Sequence, residues 1–151
     1  MSKTIRRHMS GASLATALLL SGCATSTGPQ FSALEAVPSG QASIYLYRNS
    51  SMFAIGQAFT VNLDGKPVGQ LYNASYLQVA VAPGTHTIEV APGGLAHVSK
   101  LDITAEIGKT VFYEYDFVKG PFANTFFVGA NIEPRDEAKA LADLKVLKRA
   151  E

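Results

Sequence analysis

Tryptophan is missing from this chain, and cysteine occurs once in 151 residues. A lone cysteine excludes a disulfide framework within the chain, so packing alone has to hold the fold. Histidine is almost as scarce: His8, His86 and His97. A zinc site needs three or four ligands at workable positions, and the sequence has neither an HExxH motif nor a close histidine pair. No GxSxG elbow is present. Gly108-Lys109-Thr110 resembles the end of a phosphate-binding loop, but Ile103 stands where the first glycine belongs. The longest N-terminal apolar run, Gly11 to Leu20, is half of the roughly 20 residues that a membrane-spanning helix requires. These absences lead us to expect no enzyme, no metal and no diffusible cofactor.

Charge is sparse as well, at 17% of residues. Three of the 13 basic residues, Lys3, Arg6 and Arg7, sit at the very start. The remainder carries 10 basic and 12 acidic residues, a net charge of −2. So nearly neutral a body lacks the electrostatic footprint of a nucleic-acid binder.

The N-terminal segment carries the most specific signal. A basic start followed by a short apolar run is the layout of a secretory signal peptide. The next residues, Leu20, Ser21, Gly22 and Cys23, resemble the bacterial lipobox, where an aliphatic and two small residues precede a cysteine. Small side chains leave the backbone open to a peptidase, and the thiol is the strongest nucleophile available for lipid attachment. The resemblance implies cleavage before Cys23, diacylglycerol on its sulfur and an N-acyl chain on its new amine. Each buried CH₂ contributes roughly 0.8 kcal/mol, so several chains anchor firmly. Ala24 replaces the aspartate that retains such proteins at an inner membrane, pointing to the outer membrane with the domain facing the periplasm. Residues 23–40 have the composition of a flexible tether, which would span about 20–25 Å. Within it Phe31, Leu34 and Val37 recur every third residue and offer apolar contacts to a neighbouring domain.

From residue 41 to 133 the hydrophobic period is two. Phe59, Val61 and Leu63 alternate with polar residues, as do Leu77, Val79 and Val81, then His86, Ile88 and Val90, then Leu101, Ile103 and Ala105. Two further runs, residues 43–47 and 110–117, are apolar on both faces and call for cover on both sides. A last strand is expected through Thr125-Phe126-Phe127-Val128. Asp64-Gly65 predicts a tight hairpin, Pro83-Gly84 a type II turn with positive φ at the glycine, and Gly108-Lys109 a third turn. Seven or eight short strands at this spacing predict an antiparallel β-sandwich. His86 lies on the apolar face of its strand and reads as a core or rim residue. Glu114 and Asp116 share a strand face that is expected to meet water.

From Pro134 to Arg149 the period changes. Pro134 suits the first helical position. Asp136 and Glu137 in the first turn and Lys145, Lys148 and Arg149 near the end complement the helix dipole. Leu141, Leu144 and Leu147, with Ala138 and Ala140, form an apolar stripe. One C-terminal helix over residues 134–151 is therefore expected to pack on the sandwich, with docking on a partner or a membrane surface as the alternative.

Two aromatic sets are candidates for a binding surface: Tyr45 and Tyr47 on one strand, Tyr113 and Tyr115 on another. If both sets lie inside, they are core; lining a groove, they would stack on a sugar or grip a peptide, since tyrosine pairs an apolar body with a polar tip.

Tyr45-Leu46-Tyr47-Arg48, Asp64-Gly65-Lys66 with Gly69, Tyr76, and Pro83-Gly84 with His86 occur in the order that resembles a bacterial lipoprotein family, domain of unknown function 2846. The later part is also similar to PEGA domains, short β modules of bacterial surface proteins. The resemblance implies a β-sandwich behind a lipid anchor and carries over no catalytic residue. The chain thus divides into a signal peptide (1–22), a tether (23–40), a sandwich (41–133) and a helix (134–151). The expected role is a lipid-anchored envelope protein, protein-binding or an assembly component. Its alternative is a periplasmic module that binds cell-wall glycan or a small apolar ligand.

Overall fold

A computed structural model describes residues 25–92, 98–119 and 127–151. The signal peptide, the lipobox, Cys23, His97 and the start of the last predicted strand lie outside the described residues. The described part is a two-sheet β-sandwich. Its strands are β1 (Ala42–Arg48), β2 (Phe59–Leu63), β3 (Lys66–Leu71), β4 (Ser75–Val81), β5 (Gly84–Pro92), β6 (Ser99–Ala105), β7 (Thr110–Lys119), β8 (Phe127–Arg135) and β9 (Lys148–Arg149), with a helix α1 (Glu137–Leu144) before the last. One sheet has the order β8-β7-β1-β4-β9 and the other β3-β2-β5-β6.

The period-two faces meet between the sheets. Ile44, Leu46, Phe59, Val61, Ile88 and Val90 are buried there. Two pairings depart from the antiparallel expectation: β1 runs parallel to β7, and β9 parallel to β4. Alternation states which face is wet, and carries no information on the direction of a neighbouring strand. At the Asp64-Gly65 hairpin both residues hold positive φ, 51° and 74°, as a type I′ turn requires. Gly84 holds φ +138°, positive as expected but wider than the type II turn value of about 80°. Gly69 permits a close approach: a Cβ there would lie 2.8 Å from the Leu77 side chain.

The predicted C-terminal helix is shorter than residues 134–151. Pro134 belongs to β8, opposite Tyr113. That strand is an edge, where a missing N–H leaves no ladder bond broken. Asp136 is the N-cap, its side chain accepting from the Lys139 N–H. Lys148 and Arg149 form β9 rather than a basic helix end. Ala140, Leu144 and Leu147 are buried as the stripe predicts, while Ala138 is exposed.

Residues 25–41 are not a free tether. The Phe31 N–H donates to the Leu147 carbonyl at 3.0 Å and the Arg149 N–H to Pro29 at 2.8 Å. Arg149 also ion-pairs with Glu35. Phe31 meets Tyr45 and Tyr76 edge-on, with ring centroids 6.2 and 5.6 Å away. The segment and α1 together cover the outer face of the five-stranded sheet, which explains why β1 is buried along its whole length.

Candidate functional site

The four tyrosines do not form a surface. Tyr45 and Tyr47 point outward from β1, under α1 and the N-terminal segment, and retain 1% and 0% exposure. Tyr113 and Tyr115 point the other way, into the sandwich core, at 8% and 1%. β1 and β7 are neighbouring strands, but the two pairs face opposite sides of their sheet. Burial raises the pKa of all four phenols. They are core, and no aromatic groove for a sugar results.

Beneath α1 lies a polar cluster that sequence reading missed. Glu114 is buried and accepts from Arg135 Nε and Asn49 Nδ2, both at 2.7 Å. Arg135 also reaches Glu133 at 2.7 Å. Asp143 on α1 accepts from the Tyr47 hydroxyl at 2.9 Å and from Lys139 Nζ at 2.5 Å. Burial alone would raise the Asp143 carboxyl, and the bonds from Lys139, Tyr47 and Asn49 overcome it and hold it below its ordinary value. The expectation that Glu114 and Asp116 both face water is half right: Asp116 is exposed, whereas Glu114 is neutralised by Arg135. All three carboxylates, Glu114, Glu133 and Asp143, have cationic partners, and through Glu114, Asn49, Tyr47 and Asp143 the cluster fastens the helix to the sheet.

His86 sits at the rim, as expected. Its Nδ1 lies 2.7 Å from Asp64 Oδ2 and its Nε2 2.8 Å from the Ala82 carbonyl. Asp64 Oδ1 accepts from the Thr87 N–H at 2.9 Å. With both ring nitrogens occupied, His86 ties two turns together and offers no lone pair to a metal. Among the described residues no group of three or more His, Cys, Asp or Glu is arranged to hold one.

At the opposite pole, Arg48 is 1% exposed. It donates to the carbonyls of Gln57, Phe53 and Ala54 at 3.1, 3.0 and 2.9 Å. Its guanidinium lies over the rings of Phe59 and Phe117, 4.9 and 5.0 Å from their centroids. The loop it fastens, residues 49–58, carries Met52 at 86% and Ile55 at 50% exposure. The sequence signal for this loop was present: large apolar residues between two strands, where turn chemistry is the norm.

The family described as Protein of unknown function (DUF2846) matches residues 38–130, more than half of the chain. No curated protein and no solved structure gives a significant match. The chain belongs to the DUF2846 family.

Proposed function

We propose that this member of the family is a lipid-anchored envelope protein whose sandwich binds a protein partner or serves as an assembly part. The observation that carries the reading is Leu20-Ser21-Gly22-Cys23 behind a basic start and a short apolar run. Cys23 bears the lipid, and the domain faces the periplasm from the outer membrane. A non-catalytic role is supported by the chemistry: the carboxylates of the cluster under α1 are bonded, His86 is locked, and the tyrosines are buried. A protein so built acts through its surface. The partner face this reading points to is the pole of the three turns, where Ile107 stands 64% exposed. Fatty-acid labelling and fractionation of cells carrying Cys23→Ala test the anchor. Label should vanish and the chain should stay uncut or become soluble; unchanged membrane attachment would overturn the reading. A photo-crosslinker at position 107 in living cells then tests the partner, with one dominant protein adduct expected.

The alternative, a periplasmic ligand-binding module, loses its glycan groove. The crevice lined by Ile44, Leu46, Val61, Val68 and Ile88 among others has a volume of about 10 Å³, the size of one water, so a small apolar ligand would have to part the sheets to enter. Recovery of an apolar compound, rather than a protein, with the purified chain would favour it.

A further inference from the structure

Residues 49–58 connect β1 to β2 and contain no charged side chain. Three of the loop's carbonyls turn inward to Arg48, and the loop presents its apolar side chains outward. Met52 is 86% and Ile55 50% exposed, while Phe53 seats its ring on Phe117 with centroids 5.1 Å apart. The loop is also tied sideways: the Ser51 N–H donates to Asn73 Oδ1 at 2.9 Å. Asn73 in turn bridges to Thr25. Cys23 precedes Thr25 by two residues, and two extended residues reach at most about 7 Å. Thr25, two residues after the anchoring cysteine in sequence, and the apolar loop therefore share one pole of the sandwich. Exposed Lys148 is there too, its N–H donating to the Ala74 carbonyl at 3.2 Å.

We propose that the 52–55 loop is a lipid-contacting surface: Met52 and Ile55 enter the bilayer interface beside Cys23, and the domain rests on the membrane by this pole. The proposal rests on the lipid-anchor reading. A free tether would have let the domain stand off, but the chain is docked from residue 25 onward, which leaves no length for it. A neutral loop loses no charge hydration on entering the interface, and Met52 and Ile55 add apolar surface to that of the lipid chains. A protein partner at this pole would have to occupy the space that the lipid itself holds closed.

The absence of tryptophan makes the test direct, because one introduced residue is the only indole. Ile55→Trp and, at the far pole, Ile107→Trp are purified as the full lipidated chain. Each is reconstituted into vesicles of phosphatidylethanolamine and phosphatidylglycerol containing brominated lipid. Emission of Ile55→Trp should shift to the blue and be lost to bromine quenching, while Ile107→Trp keeps its solvent-like emission. A chain that floats with the vesicles but shows equal, unquenched emission at both positions would overturn the proposal and leave the anchor standing. A chain that does not float would overturn both. Capture of an envelope protein by a crosslinker at position 55, without quenching, would assign the pole to a protein and overturn the lipid contact.

Discussion

Arg48 and His86 show how a single side chain organises a turn region. Burial lowers the Arg48 pKa, yet the guanidinium keeps its place because three carbonyls and two aromatic faces replace water. The planar fork donates from two separate nitrogens and lies flat against two rings, whereas an ammonium gathers its three donors on one atom and has no face to stack. Arg48→Lys should therefore cost about 2 kcal/mol, since hydrogen bonds to charged groups contribute about 1.5–3 kcal/mol. Urea unfolding measures it, and an unchanged midpoint would mean that the loop holds itself. His86 works through its charge. A carbonyl can only accept, so Nε2 carries a proton; the Asp64 carboxylate draws a second to Nδ1. The bond to Asp64 first, and the Ala82 carbonyl second, raise the imidazole above its ordinary 6.5. A raised pKa means that the folded state binds the proton more tightly than the unfolded one. That stabilisation is complete below pH 6.5 and fades as pH rises through the folded value. Melting temperature should fall across that window in the native protein and stay flatter in His86→Asn. Equal slopes for the two would show that the pair contributes nothing to folding.

Strand patterns were legible because alternation is local: a slip of one residue would turn Phe59 and Val61 outward, and the core excludes it. Turn chemistry was legible for the same reason. Gly84 holds φ +138°, where a β-branched side chain is strained, so Gly84→Val should destabilise the fold by about 1–3 kcal/mol. A thermal midpoint equal to that of the native chain would count against strain at that turn. What sequence could not supply were contacts between distant segments. Phe31 is buried because Leu147, Tyr45 and Tyr76 come to it; the every-third spacing of Phe31, Leu34 and Val37 marked a docking face, but not which residues it would meet. Pro134 was ambiguous on physical grounds, since a first helical turn and an edge strand both tolerate a missing N–H. The tyrosine pairs stayed open between core and groove because period two assigns residues to a face without saying whether that face is covered; the structure makes them core. Glu114, Arg135 and Asp143 come from three elements, and only the fold brings them together.

At the scale of the whole molecule, the five-stranded sheet needs two covers. One face meets the second sheet. The other is apolar at Tyr45, Tyr47 and Phe112 and is closed by α1, Leu147 and residues 25–41. The two closing pieces hold one another, through Phe31 on Leu147 and Arg149 on Glu35. Removing residues 136–151 should therefore uncover the whole outer face and release the N-terminal segment at once. Loss of a single buried leucine such as Leu144 or Leu147 costs about 2–5 kcal/mol. A domain of this size has only about 5–15 kcal/mol in hand. The truncated chain should still be exported, because the signal lies at the other end, but should melt without a cooperative transition and bind a hydrophobic dye. With its N-terminal segment released, it should also regain the stand-off that docking removes. In the vesicle experiment, the indole of Ile55→Trp should then lose part of its quenching although the lipid on Cys23 is intact. A truncated chain that melts cooperatively and quenches fully would mean that neither cover depends on the other, and that the anchored pole is held to the bilayer by the loop alone.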